Sequence, residues 1–372
     1  MSHKVTVDFE GITIQIQSQC EVASGSLCKI DKVLDRIHKT ADRLETSKVK
    51  EYEDYLLKSK DKIQKLINEF TESLNKYKVL KRQSFDMDVR YGGQASQEIA
   101  KKYNDLNVVL RKQGEELVKT VNDLTGSKLA VIDEMINEGL LNAGQATAND
   151  ILNKINGVLD LSSETIKQIN DIDDVSLREL AYRQLLKDEN KSKSFDELIS
   201  MAQDEYDILL GKKTAQVIED YKAELLSNGV SSSVLDNVKS VEEAAKVANE
   251  AITDEKVRKE TLKVIIKAIK ERGFIVDTKK NLKIDKEKNI VRLVALKASG
   301  QTAEFEIQLN GKFMYKFEGY EGLACNKDIT PFIEDLKNVY DINILHEEVE
   351  WSNPDKISTQ KYQYINSNKG KN

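Results

Sequence analysis

At 372 residues, 40% hydrophobic and 32% charged but only 6% aromatic, the chain has room for two or three domains, and it suits long solvated helices with narrow apolar seams better than one thick core. Its 57 basic and 63 acidic residues are interspersed and sum to −6, which leaves no broad basic face for a phosphate backbone and disfavours nucleic acid as the main partner. No window approaches the ~18 apolar residues of a membrane span, and the only prolines, Pro331 and Pro354, leave everything before them free to be helical.

The opening MSHKVTVDFEG alternates polar and apolar residues and lacks the apolar centre of a signal peptide. Cys20, Cys28 and Cys325 are odd in number and carry no metal-ligand spacing, which predicts a cytoplasmic protein with reduced thiols. Val5, Val7 and Phe9, then Ile12, Ile14 and Ile16 beyond Glu10-Gly11, predict a β-hairpin over residues 4–17, followed by a loop over 18–28. A lone hairpin is marginal in water. This N-terminal unit, residues 1–28, is therefore expected to dock on the C-terminal sheet, on a helix or on another subunit.

A helical run starts near Lys29, with Ile30, Val33, Ile37, Ala41 and Leu44 as its stripe, and its phase shifts near Thr46-Ser47. From there Val49, Leu56, Ile63, Phe70 and Tyr77 recur every seventh residue, with Tyr52, Leu66 and Leu80 three residues after members of that series. Ser59 and Ser73 interrupt the seam, which favours an antiparallel bundle over a long parallel dimer. Tyr91-Gly92-Gly93 breaks the run. A second helix, from Ala95 to Leu124, repeats Tyr103, Leu110, Leu117 and Leu124 at the same spacing, with Ile99 and Leu106 completing its stripe, up to Gly126-Ser127. Residues 29–127 thus read as a long antiparallel helical hairpin.

Residues 128–272 read as a compact bundle of shorter helices, with Ser176–Glu179, Ser194–Glu197 and Ser240–Glu243 spaced as capping boxes. At Arg272-Gly273 the pattern changes. Residues 274–276, 282–284, 290–296, 303–309 and 313–317 are short β-type runs, and Asn310-Gly311 is a hairpin turn signal. A helix is expected from Ile329 or Thr330 to Tyr340, with Pro331 at an early position, then a strand from Ile342 to Trp351. The module over 273–357 is therefore an antiparallel sheet with one helix, and 358–372 is a polar tail. The fold class is mainly α with a C-terminal α+β module.

Candidate chemistry is sparse. His3, His38 and His346 are dispersed and no GxxxxGK[ST] is present, so the residues point to no catalytic group, no cofactor and no metal. The acidic runs Asp171-Ile-Asp-Asp174 and Glu347-Glu348 with Glu350 lack the alternating ligands and central glycine of an EF-hand, and read as solvated ends. Lys279, Lys280, Lys283, Lys286 and Lys288 form a small basic stretch, interrupted by Asp285 and Glu287, where an anion would be sought first.

The most specific segment is Gly319-Tyr-Glu-Gly322-Leu-Ala-Cys325, a turn between a β-hairpin and a helix. Glycine permits close backbone approach there, and cysteine acts as a small buried hydrophobe. This Gly-x-x-Gly-x-x-Cys turn resembles a small bacterial domain of unknown function whose genes are often found near MoxR-type AAA+ ATPases. The resemblance covers roughly residues 300–355 and leaves the helical body outside it. It implies association with an ATPase-centred assembly of a bacterial conflict or antiphage system, and no chemistry for this chain. Gly319, Tyr320, Gly322 and Cys325 are its candidate partner-binding residues, with Trp351, the only tryptophan, as an anchor.

Three functional readings stand at this point. The first is a non-enzymatic interaction or scaffold protein that binds a protein partner, such as a MoxR-type ATPase. The second is an enzyme or toxin whose site gathers Asp328, Glu334, His346 and Glu348 in the C-terminal module. The third is a phage or plasmid structural protein that forms homo-oligomers through the heptad helices.

Overall fold

A computed structural model of the chain describes residues 2–40, 46–90, 94–139, 163–190, 192–285, 288, 290–309, 312–321, 324–340 and 342–352. Strand β1 (Ser2–Glu10) runs through Gly11 straight into helix α1 (Ile12–Thr40). The expected hairpin and loop are thus replaced by one strand and one long helix. The alternating isoleucines fit a helix because both of its sides are covered. Ile12 and Ile16 face the helical core and Ile14 faces the sheet core, so tertiary burial overrides the strand-like pattern. Within the supposed loop, Ser24 and Ser26 donate back to the carbonyls of Cys20 and Val22, as serines inside helices do.

Helices α2 (Thr46–Arg90) and α3 (Gln94–Asp123) form the expected antiparallel pair, α3 reaching about 45 Å at ~1.5 Å per residue. The rings of Tyr77 and Tyr103 stack at 4.7 Å and their hydroxyls meet at 2.6 Å. Val49, Leu56, Ile63, Phe70 and Tyr77 are all buried within the chain, so the heptad seam is consumed by α2's own neighbours. Helix α1 lies antiparallel along α2, linked by Lys60–Asp31 at 2.6 Å and His38–Glu53 at 3.2 Å.

The break expected at Gly126-Ser127 is a π-helical turn, Leu124–Lys128, in which Gly126 leaves helical geometry (φ −74°, ψ −109°), and the helix resumes as α4 (Leu129–Asn137). The disturbed ladder is compensated from outside: the Tyr221 hydroxyl donates to the Thr125 carbonyl at 3.0 Å. Among the described residues four further helices follow in the body, α5 (Ser163–Asn170), α6 (Val175–Leu186), α7 (Phe195–Asn228) and α8 (Val241–Glu271). Ser194 and Glu197 form the expected capping box, and Ser240 caps the Glu243 amide. Ser176–Glu179 does not. Asp174 is the cap of α6, accepting from the Ser176 and Leu177 amides. Ser176 is buried inside that helix, and Glu179 receives the buried Lys48 at 2.7 Å.

Buried residues between Ile12 and Leu209 share one apolar core that spans the hairpin and the start of the bundle, crossed by a Tyr52 hydroxyl contact to the Met135 sulfur and by the Arg36–Asp133 ion pair.

The sheet is antiparallel, with strand order β2-β3-β4-β5-β1-β6. Its C-terminal strands are β2 (Leu282–Asp285), β3 (Ile290–Leu296), β4 (Thr302–Gln308), β5 (Lys312–Glu318) and β6 (Asn343–Ser352). The N-terminal strand therefore sits inside the C-terminal sheet, with Val5 opposite Tyr315 on one side and Val349 on the other. Residues 274–276 contribute only the Ile275–Leu296 bridge, and the helical turn α9 (Thr278–Asn281) precedes β2. Helix α10 (Asn326–Asn338) starts earlier than expected, which puts Pro331 inside it at the loss of one intrahelical bond. Asn310-Gly311 and the tail 358–372 lie outside the described residues. One sheet face packs on α10 and on the end of α8 through Phe305, Tyr315, Phe317, Phe332, Ile265 and Ile269.

Candidate functional site

The C-terminal turn is a closed polar lock. Gly319 adopts φ +83°, and a Cβ there would lie 3.1 Å from the Gly300 carbonyl and 3.2 Å from the Gln301 Cα, so glycine is required on two counts. The next residue, Tyr320, is buried and donates its hydroxyl to Asp328 at 2.5 Å; burial first, then the Asp328 carboxylate, push that hydroxyl above the usual tyrosine range. Lys297 meets both Asp328 oxygens at 2.8 and 2.7 Å while its ammonium lies 4.7 Å above the Phe274 ring. Cys325 is fully buried beneath this cluster, its thiol pushed up by desolvation.

Of the residues singled out in the sequence, Gly319, Tyr320 and Cys325 come together here, in packing roles. Gly322 lies outside the described residues. The Trp351 backbone pairs with Lys4, which pairs on its other side with Lys316 near the end of β5, so Trp351 lies two strands across from the strand that leads into the turn, and its side chain lies outside what is described. The dispersed acid set is not gathered around Asp328, whose carboxylate is engaged by Lys297 and Tyr320; Glu334 is exposed on α10, and His346 and Glu348 are exposed on β6. The basic stretch is spread over α9, β2 and the turn after β2, with Lys279, Lys280 and Lys288 exposed and Lys286 outside the described residues. Of the acidic run 171–174, Asp171 and Asp173 line a polar hollow beside Glu51 and Asp54 of α2, and Asp174 serves as the α6 cap. Among the described residues, no group of three or more His, Cys, Asp or Glu is arranged to hold a metal ion, and no helix is long and apolar enough to cross a membrane.

The open feature lies in the helical body. Helices α1, α3 and α8 bound a groove of about 720 Å³, with Phe70 of α2 at its base. Each wall contributes one helical stripe. From α1 come Ile12, Gln15, Ile16 and Gln19; from α3, Leu110, Gly114, Leu117 and Val121; from α8, Glu242, Lys246, Glu250 and Asp254, each four residues after the last. The floor is apolar, since Ile12, Ile16, Phe70, Leu110, Leu117 and Val121 are buried side chains of the main core. Gly114 keeps the floor low: a Cβ there would lie 2.9 Å from the Gln19 Oε1 and 3.1 Å from the Phe70 Cζ.

The groove is crossed by a hydrogen bond from the Asn249 amide to the Asn122 oxygen at 2.7 Å. On the side of Glu250 and Asp254 the α3 lining runs about 18 Å back to Leu110 and the α8 lining about 7.5 Å on to Asp254, at ~1.5 Å per residue, while Glu242 and Lys246 lie on the other side of the bond. The lining carries five carboxylates, Glu115, Asp123, Glu242, Glu250 and Asp254, against three cations, Arg111, Lys119 and Lys246. The Asp254 carboxyl is pushed up to about 6, because the groove walls strip water from it and, second, because Glu250 one turn away adds like charge. The arrangement can take apolar side chains against the partly exposed Val22 and Val118 and a positive group against its α8 wall.

Two signals in the sequence pointed here unread: the four-residue spacing of Glu242, Lys246, Glu250 and Asp254, and a glycine within the unbroken helical pattern of α3. The groove stayed hidden because its α1 wall carried the strand-like pattern. No family model, curated protein or solved structure matches this chain.

Proposed function

We propose that this chain is a non-enzymatic interaction protein that holds a helical segment of a partner protein in the groove between α1, α3 and α8, as one component of a bacterial multi-protein assembly. The observation that carries this reading is the groove itself: three helices each turn a stripe of side chains toward one trough of about 720 Å³ over Phe70 of α2. The resemblance of the C-terminal module suggests an ATPase of the MoxR type as the partner and a conflict or antiphage system as the setting.

Cross-linking of the full-length chain with a purified MoxR-type ATPase tests the proposal. A photoreactive residue at Val118, on the α3 wall, is expected to capture the ATPase, whereas one at exposed Lys101 of the same helix is not. Equal capture at both positions, or at neither, would refute it.

A further inference from the structure

Resting on that reading, we infer that the segment received by the groove is a basic amphipathic helix, whose apolar edge lies against the partly exposed Val22 and Val118 and whose lysine or arginine is taken by Glu250 and Asp254. The argument is one of charge and shape together. Glu250 and Asp254 sit one turn apart on α8, about 6 Å along the axis, both exposed toward the groove and neither in a hydrogen bond or ion pair among the described residues. The cations near them do not neutralise the pair. Lys246 lies a turn earlier on α8, Lys256 is turned to Glu21 of α1 at 2.7 Å, and on the facing α3 wall the cations Arg111 and Lys119 alternate with the carboxylates Glu115 and Asp123. From α1 the neighbouring groups, Gln15 and Gln19, are neutral amides.

Two like charges held together against an apolar floor cost free energy that an incoming cation would recover. A guanidinium or ammonium on a long aliphatic stem suits such a place, since the stem covers the valines while the head reaches the carboxylates. An acidic or neutral helix would leave the pair as it is. The raised Asp254 carboxyl adds a pH signature: near its value of about 6 the acceptor loses its charge, so the affinity falls as the pH drops.

The test uses the full chain and three synthetic peptides ~14 residues long, four helical turns with the same leucine spacing and polar faces of lysine, glutamate or glutamine. Calorimetry reads affinity, and amide hydrogen exchange reads where each peptide sits. The lysine peptide is expected to protect residues 110–122 and 242–254, to bind at least tenfold more tightly than the other two, and to lose about tenfold in affinity between pH 7.5 and pH 5. The double variant Glu250→Gln, Asp254→Asn should erase both the preference and the pH dependence. Equal binding of all three peptides with groove protection would overturn the charge assignment and leave the groove as a helix receptor. No groove protection by any peptide would overturn the receptor reading as well. Protection of the same amides by raising the protein's own concentration would assign the groove to a second copy and overturn both.

Discussion

The Gly319 turn and the α1/α3/α8 groove treat charge in opposite ways. At the turn, one carboxylate, one ammonium and one phenol close on each other, and an aromatic core fills the space behind them. In the groove, an acidic pair faces an apolar floor with no cation seated between its members. Satisfied polar clusters hold a fold in one arrangement, whereas an uncompensated charge beside accessible apolar surface is what a binding partner can relieve. The segment that looked most functional as a string of residues is thus the more structural of the two.

Four experiments would break or sharpen that contrast. The largest effect should come from Asp328→Ala, which leaves Lys297 and the Tyr320 hydroxyl without their shared acceptor in a site where Lys297 is only 20% exposed. A loss of about 3 kcal/mol is expected by denaturant unfolding; a loss near zero would mean that the lock holds nothing. Gly319→Ala comes next. A left-handed alanine pressed against the Gly300 carbonyl should lose about 2 kcal/mol in the same assay, and wild-type stability would contradict the tight approach seen there.

The groove should respond with the opposite sign. Folded Asp254 holds its proton more tightly than the unfolded residue, whose value is near 3.8, so protonation favours the fold and stability declines as the pH rises from about 4 to about 6. Asp254→Asn removes that decline and should stabilise the protein by about 1 kcal/mol at pH 7, a figure reduced for the side chain's contact with solvent, and by nothing below pH 4. Thermal melts at the two pH values measure this, and a destabilised variant at pH 7 would show that a cation already neutralises the pair. The smallest effect is kinetic. Native alkylation followed by mass spectrometry should label exposed Cys28 first, half-buried Cys20 more slowly and Cys325 last. Early labelling of Cys325 would show that the core beneath the turn opens.

Much of the secondary structure was written in local pattern. The Val49–Tyr77 seam, its antiparallel partner, the Ser194 capping box and the strands from Leu282 to Glu318 are each set by neighbours within a few residues, and each stands as expected. At the turn, the two glycines and the cysteine marked a place of close approach, but nothing local told a packed cluster from a contact surface. In the groove, Gly114 and Asp254 are ordinary residues of ordinary helices until three helices meet.

Amphipathic spacing along the chain was enough to declare a helical body with a sheet at its end, because the period of the apolar residues reports which side of a segment leaves water. It does not report what covers that side. The passage of β1 into α1, its insertion between β5 and β6, the merging of hairpin and bundle into one core and the opening between α1, α3 and α8 all depend on contacts between residues far apart in the chain. Those were decided only by tertiary packing, where burial on two sides outweighs local preference.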